Sequence, residues 1–361
     1  MEPRRLRKVK KQRLIQRYWQ QRSLLSDLLY PASLLYERLG QIKQMRQAGK
    51  AYLAPFKVIG IGNISSGGSG KTPLTMALAK AAIESGLKTA VSHRGYKSAM
   101  EKKAGIVSMG EGCLYDAKTC GDEAWMSATK LRKAYVSVGR DRVEQLKQLA
   151  ALEAPPELVF MDDVFQNQSF IKDVNIVCFD ARVGLGNGRV IPAGYLRESV
   201  SAVARADICV INRKDPGIEV EALKAELSEW CEHIFVVDHS FCGFEDFQGN
   251  VVDVDVNQPS LLLSALASPQ SFEATAQSVN INYLTHYSFP DHYSFRSREA
   301  LKPLFEQIRG DDIKQIFCSH KDLPKLIAHR DLLPLLRVLM IEANPFQVNA
   351  LWQAIRRRMA L

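Results

Sequence analysis

The segment Ser65-Ser66-Gly67-Gly68-Ser69-Gly70-Lys71-Thr72 constrains this chain more than any other stretch. It lies between an all-apolar run, Phe56 to Ile61, and a segment in which Leu74, Ala77, Leu78 and Ala81 recur at helical spacing. A strand that passes through a Gly/Ser loop into a helix gathers backbone N–H groups at a helix N-terminus, where the dipole also favours anions. Small residues let such a loop close around phosphate oxygens. Gly70-Lys71-Thr72 adds a cation for the β- and γ-phosphates and a hydroxyl for Mg²⁺. Ser65, Ser66, Gly67, Gly68, Ser69, Gly70, Lys71 and Thr72 are therefore the predicted nucleotide site, although Ser65 stands where a glycine is usual. Pro73 falls in the first helical turn, where its missing N–H has no consequence.

Further short apolar runs follow: Thr89 to Ser92, Ala134 to Val138, Leu158 to Met161, Ile176 to Phe179, Ile208 to Ile211 and Ile234 to Val237. Alternating with helical stretches, they predict an α/β fold: a P-loop NTPase-like, mostly parallel sheet with helices on both faces. Polar groups recur at the carboxyl ends of these strands, where open α/β sheets bind ligands. Beyond about residue 240, runs at Leu261 to Ala265, Gln315 to Cys318 and Val338 to Ile341, with helices around 298–308 and 344–359, predict a smaller C-terminal α/β domain. The expected division is 1–50 as a basic arm, 51–240 as the nucleotide-binding domain and 241–361 as the domain completing a cleft.

Charge is unevenly spread. Of a formal net charge of +9, residues 1–50 carry 13 Lys+Arg against 3 Asp+Glu, so the body is close to neutral, which argues against a nucleic-acid-binding core. Arg4, Arg5, Arg7, Lys8, Lys10, Lys11, Arg13 and Arg17 precede Tyr18, Trp19 and a Leu-rich run from Leu24 to Leu35. That run is too short and too interrupted, by Ser26, Asp27, Pro31 and Ser33, to span a bilayer. It suits an interfacial helix, because anionic headgroups attract the charge while the apolar face enters the acyl boundary; a solvated basic tail followed by a helix packed on the body, and an Arg-rich transit peptide, are the other readings. A polar linker is expected at about 41–50. Seven scattered cysteines without a C-x-x-C pair signal neither a disulfide framework nor a zinc site, and fit a reducing cytoplasm. No obligate protein partner is evident.

Leu158-Val159-Phe160-Met161-Asp162-Asp163 places carboxylates at a buried strand end, where Asp162 or Asp163 can join Thr72 in holding Mg²⁺. Gly121-Asp122-Glu123 supplies acids before a helix; Asp122 could take a proton from an alcohol acceptor, or could simply cap the helix. Arg94, Arg140, Arg142 and Arg197 flank Gly-containing loops and could clamp phosphates or lie in surface ion pairs. Asp291-His292, in an aromatic-rich loop, could serve proton transfer or packing.

Several blocks together resemble the tetraacyldisaccharide 4′-kinases (lipid A 4′-kinases). They are Gly62-Asn63-Ile64-Ser65 through Lys71-Thr72-Pro73, Arg94-Gly95-Tyr96, Gly121-Asp122-Glu123, Val138-Gly139 and Asp162-Asp163-x-Phe165-Gln166. Gly186-Asn187-Gly188, Pro192-Ala193-Gly194 with Leu196-Arg197-Glu198, Asp291-His292 and Lys321-Asp322 continue them, over about 56–325. The resemblance implies ATP- and Mg²⁺-dependent phosphorylation of the 4′-hydroxyl of a lipid-linked disaccharide, tetraacyldisaccharide 1-phosphate. It places the reaction in lipid A synthesis, on the cytoplasmic face of the inner membrane, with the protein peripheral or monotopic. It implies that Asp122 and His292 activate the acceptor while Lys71 serves the phosphates. Glu123, Arg142 and Arg197 become candidates for phosphate or substrate contacts. Val164 and Asn167 replace the family's usual Gly and His, Lys97 a Gly, and Tyr195 a Pro.

Two other readings compete. Asn212-Arg213-Lys214-Asp215 imitates the guanine reader of a P-loop GTPase or metallochaperone, with Arg where Lys belongs. A non-catalytic membrane scaffold would require loss of phosphate or metal groups that this sequence retains.

Overall fold

The computed structural model describes residues 21–266, 269–290, 293–295 and 297–360. The basic arm ahead of residue 21, and Asp291 and His292, lie outside the described residues.

In chain order the first half contains α1 (Leu24–Ala48), β1 (Lys57–Gly62), α2 (Lys71–Glu84), β2 (Thr89–His93) and β3 (Gly105–Met109). It continues with α3 (Ala117–Cys120), α4 (Asp122–Lys130), β4 (Tyr135–Val138), α5 (Arg142–Ala150), β5 (Leu158–Asp162), β6 (Val174–Asp180), β7 (Ile208–Arg213) and α6 (Glu221–Ser228). After β8 (Ile234–Glu245) and β9 (Val251–Val252) come β10 (Ser260–Ser264), α7 (Pro269–Ser278), β11 (Tyr283–Ser288) and α8 (Arg298–Gly310). The chain ends with β12 (Gln315–Ser319), α9 (Leu323–Leu326), β13 (Leu336–Ala343) and α10 (Pro345–Met359).

These strands form one mixed sheet in the order β11-β10-β12-β13-β8-β7-β6-β1-β5-β2-β4-β3, with β9 paired to β8. From β4 to β8 the neighbours are parallel; β3 is antiparallel to β4. The strand β8 joins two parallel sets. Residues 234–238 pair parallel with β7, and 239–245 pair antiparallel with β13. The expected α/β architecture is thus observed.

Both faces of the central strands are covered, as their unbroken apolar runs require. On β5, Leu158 and Phe160 join β1, α2 and α10 in one cluster, while Val159 and Met161 join Leu146 and Leu149 of α5 in another. Each such side chain, fully buried, contributes about 1.5–3 kcal/mol. Beside β1, Gly62 admits the backbone of Phe165 so closely that any Cβ would collide with it.

The expected linker at 41–50 proves to be helical as far as Ala48. Gln41 to Ala48 is rich in good helix formers, and tertiary bonds fix it: Gln44 donates to Glu198 at 2.9 Å and Gln47 accepts from the Gln168 N–H at 3.4 Å. The helix also continues through Pro31. Ser33 donates to the Val190 carbonyl at 2.8 Å and accepts from the Ala193 N–H at 3.0 Å, while Arg189 reaches Asp27 at 2.6 Å and Ser26 at 2.9 Å. These polar contacts dock one face of α1. Leu24, Leu25, Leu28, Leu35, Leu39 and Met45 project into solvent, each more than half exposed. Among the described residues, no helix is long and apolar enough to cross a membrane.

Candidate active site

Strand β1 ends at Gly62, and the next eight residues loop back to open α2. Gly70 supplies the final turn at φ +76°, a left-handed conformation suited to glycine, and acts as N-cap without a side chain. The loop is braced from below. Asn63 donates to the Ser65 hydroxyl at 3.0 Å and to the Gly67 carbonyl at 3.2 Å. From the far side Asn212, at the end of β7, donates to the Ser69 carbonyl at 2.7 Å, and its own carbonyl faces His239 Nε2 at 2.8 Å. A Cβ on Gly67 would strike the Tyr195 hydroxyl, so glycine is required by close approach there.

At the end of β5 the two aspartates separate. Asp162 Oδ2 accepts from the Thr72 hydroxyl at 2.8 Å and lies 3.2 Å from His93 Nδ1. Asp163, turned at φ +55°, presents its carboxylate to Lys71 at 3.4 Å and to Arg197 at 3.5 Å. Burial opposes the Asp162 charge, but His93, Lys71 and Thr72 outweigh it and hold its pKa below the ordinary carboxylate value. Asp162 Oδ1 is buried and has no hydrogen-bond partner among the described residues. The Glu123 carboxylate lies within 4.8 Å of His93 and Asp162 ligand atoms. Desolvation, then the Asp162 charge, push the Glu123 pKa upward. Thr72, Asp162 and Glu123 thus offer the oxygen donors that a hard divalent cation takes.

Asp122 opens α4, directly after Gly121 at φ +97°. Its carboxylate meets Lys325 of the C-terminal half at 3.1 Å, and Lys325 also approaches Asp322 at 3.7 Å. Asp322 is fully buried, accepts from the Ala265 N–H and the Ser319 hydroxyl, and burial pushes its pKa up. His292 cannot be placed, since it lies outside the described residues. In the flanking sequence Phe289, Tyr293 and Phe295 are in mutual ring contact.

Arg142 sits below the site rather than in it. It is 5% exposed and donates to the Asp162 carbonyl at 2.7 Å and the Ser92 hydroxyl at 3.1 Å; burial pushes its pKa down to about 10. Beside it Gln145 accepts from Ser92 and Ser137 and donates to the His93 and Gly139 carbonyls, tying the ends of β2 and β4 together. Arg94 pairs with Glu101 at 3.2 Å instead of a site group. The sequence reading assigned no role to His93, Gln145 or His239. For His93 the signal was a polar residue at a buried strand end; Gln145, inside α5, and His239, midway along β8, carried no such local signal.

The guanine-reader reading loses its support here. Asn212 is committed to the phosphate loop, and Arg213 is paired with Asp238 at 2.6 Å.

A strand-loop-helix phosphate site, with a strand-end aspartate bonded to its threonine, defines a P-loop nucleotide-binding protein of the α/β class. Residues 25–360 match the sequence profile of the family described as tetraacyldisaccharide-1-P 4′-kinase. The chain belongs to that family. It is 30% identical over 323 residues to a tetraacyldisaccharide 4′-kinase of Desulfotalea psychrophila, covering 88% of this chain and 92% of the relative. A kinase of the same name from Desulfatibacillum aliphaticivorans is 31% identical over 317 residues, 84% of each chain. A crystal structure of LpxK from Aquifex aeolicus in complex with ATP superposes with a TM-score of 0.73 at 26% identity, covering 93% of this chain and all of that one. The expected resemblance, the fold class and the reading as an ATP-dependent kinase of lipid A biosynthesis are borne out.

Proposed function

We propose that this chain transfers the γ-phosphoryl group of Mg²⁺-bound ATP to the 4′-hydroxyl of tetraacyldisaccharide 1-phosphate, with Asp122 taking the hydroxyl proton. The observation that carries the reading is the convergence of three groups. The Thr72–Asp162 hydrogen bond of 2.8 Å, the Lys71–Asp163 pair at 3.4 Å and Glu123 of the Asp122 turn meet at the carboxyl ends of β1, β2 and β5.

The phosphate loop cradles the polyphosphate, and Lys71 neutralises charge at the β- and γ-phosphates. A bound Mg²⁺ supplies charge stabilisation on the transferring group, and Thr72, Asp162 and Glu123 are the residues that would hold it. Lys71 and Arg197, both resting on Asp163, stand ready to exchange that carboxylate for phosphate oxygens. Asp122 acts as general base, and Lys325 at 3.1 Å fixes its carboxylate and compensates its charge. His292 is the proposed companion of Asp122, on the strength of the family blocks. Arg142 supports the site by holding the backbone of Asp162.

The acceptor carries acyl chains, so the enzyme works at a bilayer surface, proposed as the cytoplasmic face of the inner membrane. The exposed leucines of α1 and the basic residues ahead of them would supply the apolar and electrostatic parts of that contact. The division into 1–50, 51–240 and 241–361, with the active site in the cleft, is part of the same proposal, with the qualification that helix α10 packs into the core of the nucleotide-binding half.

The test is purified protein with ATP, Mg²⁺ and tetraacyldisaccharide 1-phosphate in mixed micelles. The expected product carries a new 4′-phosphate, and its absence with an acceptor of confirmed integrity sinks the reading.

A further inference from the structure

Two cysteines lie just upstream of the proposed base. Cys113, half-buried on an exposed loop, has its sulfur 3.8 Å from that of Cys120, the last residue of α3. The loop between them is short and open: Leu114 and Tyr115 are 63% and 43% exposed, and Asp116 caps α3 through the Thr119 N–H at 2.8 Å. Both sulfurs belong to the apolar cluster formed by Val107, Ala124, Ala128, Val136 and Val138, which seats α4 against β3 and β4. Gly121 then connects Cys120 to Asp122. It packs so tightly on Gly95 that a Cβ there would lie 3.2 Å from the Gly95 Cα.

We propose that Cys113 and Cys120 are a peroxide-sensitive dithiol, and that their oxidation to a disulfide displaces the start of α4 and lowers turnover. The disulfide stands on the geometry alone; the turnover effect rests on the proposed role of Asp122. The Cys113 thiolate attacks a peroxide oxygen, the O–O bond breaks, and a sulfenic acid and hydroxide form. The Cys120 sulfur attacks that sulfenyl sulfur, the S–O bond breaks, and the oxygen leaves as water. Two thiols and one peroxide thus give one disulfide and two waters, with two electrons passing to the peroxide.

The direction of attack follows from the surroundings. The contact between the two sulfurs draws the Cys113 pKa down to about 7, while the same contact and then burial push the Cys120 thiol upward. Cys113 is also the sulfur on the exposed loop. A disulfide needs about 2.05 Å between sulfurs, so closing from 3.8 Å brings them nearly 2 Å nearer. Backbone movement at Cys120 carries Gly121 with it, and Gly121 packs closely enough on Gly95 that a methyl group there would be a tight fit. The strain therefore passes to Asp122 and Glu123.

The experiment treats the full-length protein with hydrogen peroxide, digests it without reductant, and compares wild type with Cys113→Ser. In wild type, the peptides spanning 104–118 and 119–130 are expected to appear linked, two hydrogens lighter than their sum. Amide exchange at 121–125 should change, and kcat should fall at least tenfold and recover with dithiothreitol. Cys113→Ser should show none of these effects while keeping wild-type kcat before oxidation. Absence of the linked peptide overturns the proposal, as does a kcat loss that Cys113→Ser shares. A linked peptide with unaltered exchange at 121–125 overturns the displacement. If the protein shows no kinase activity before oxidation, the functional reading fails, while the linked peptide and the exchange still decide for or against the dithiol.

Discussion

Asp162 takes the Thr72 hydroxyl on one oxygen and keeps the other, buried, without a hydrogen-bond partner among the described residues, while Glu123 is held close by despite the shared negative charge. Burial and the Asp162 charge raise the Glu123 pKa, so the folded protein keeps that proton to higher pH than the unfolded chain does. The stability Glu123 contributes is therefore full below its ordinary value of 4.5 and is lost as pH rises through the raised folded value. Glu123→Gln should raise the Tm of the ligand-free protein by a few degrees at pH 8, with the gain vanishing near pH 4, while kcat falls. Thermal melts at the two pH values check this, and an equal shift at both would refute the electrostatic cause. Asp122 invites a different measurement. If it removes the acceptor proton, Asp122→Asn should lower kcat by about 10²–10⁴-fold with ATP affinity within about twofold of wild type. A comparable loss in ATP binding would move Asp122 to the nucleotide site.

At the scale of elements, the phosphate loop depends on strands that follow it far along the chain. His239 of β8 holds Asn212 of β7, which holds the Ser69 carbonyl. Burial, then Lys214, depress the His239 pKa to about 4, against the opposing charge of Asp238. A depressed histidine contributes stability that is present above 6.5 and lost as pH falls toward 4, about 3 kcal/mol in all. His239→Gln should flatten the stability profile between those limits in urea titrations; an unchanged slope would reassign the effect. The turn between α3 and α4 is equally specific. Gly121 has φ +97° and ψ 149°, a region nearly reserved for glycine, and Gly121→Ala should lose about 1–3 kcal/mol plus the strain against Gly95. Denaturant midpoints measure that loss.

These elements also show what a reader of the sequence could see. The phosphate loop, the strand-end aspartates and the Gly-Asp-Glu turn are local patterns, and each stands on contiguous residues. His93, Arg142 and Gln145 act across 20 to 70 residues, on side-chain directions that no periodicity encodes. The helical character of 41–48 was hidden for a related reason. Its polar residues read as linker until Glu198 and Gln168 supply partners.

At the scale of the whole molecule, the C-terminal residues stabilise the nucleotide-binding half directly. Helix α10 crosses back from β13 and packs beside α2 on the central strands. Trp352 is 1% exposed, its ring centroid is 6.3 Å from that of Phe160, and its indole N–H donates to the Ser85 hydroxyl at 3.0 Å. At the other end of the helix, Gln347 binds both the Asp238 N–H and the Asp238 carboxylate, where β8 passes from one parallel set to the other. The phosphate-loop helix and the last helix therefore share one core, whatever independence the residues between 246 and 340 possess. Trp352→Ala should cost about 3–5 kcal/mol, because the cavity opens between two helices and the sheet that all must keep their places. In calorimetry the transition that ATP protects should move down by several degrees. Were 241–361 a separate folding unit, the substitution would shift a different transition and leave the ATP-protected one in place, and that outcome would show that α10 contributes nothing to the nucleotide-binding core.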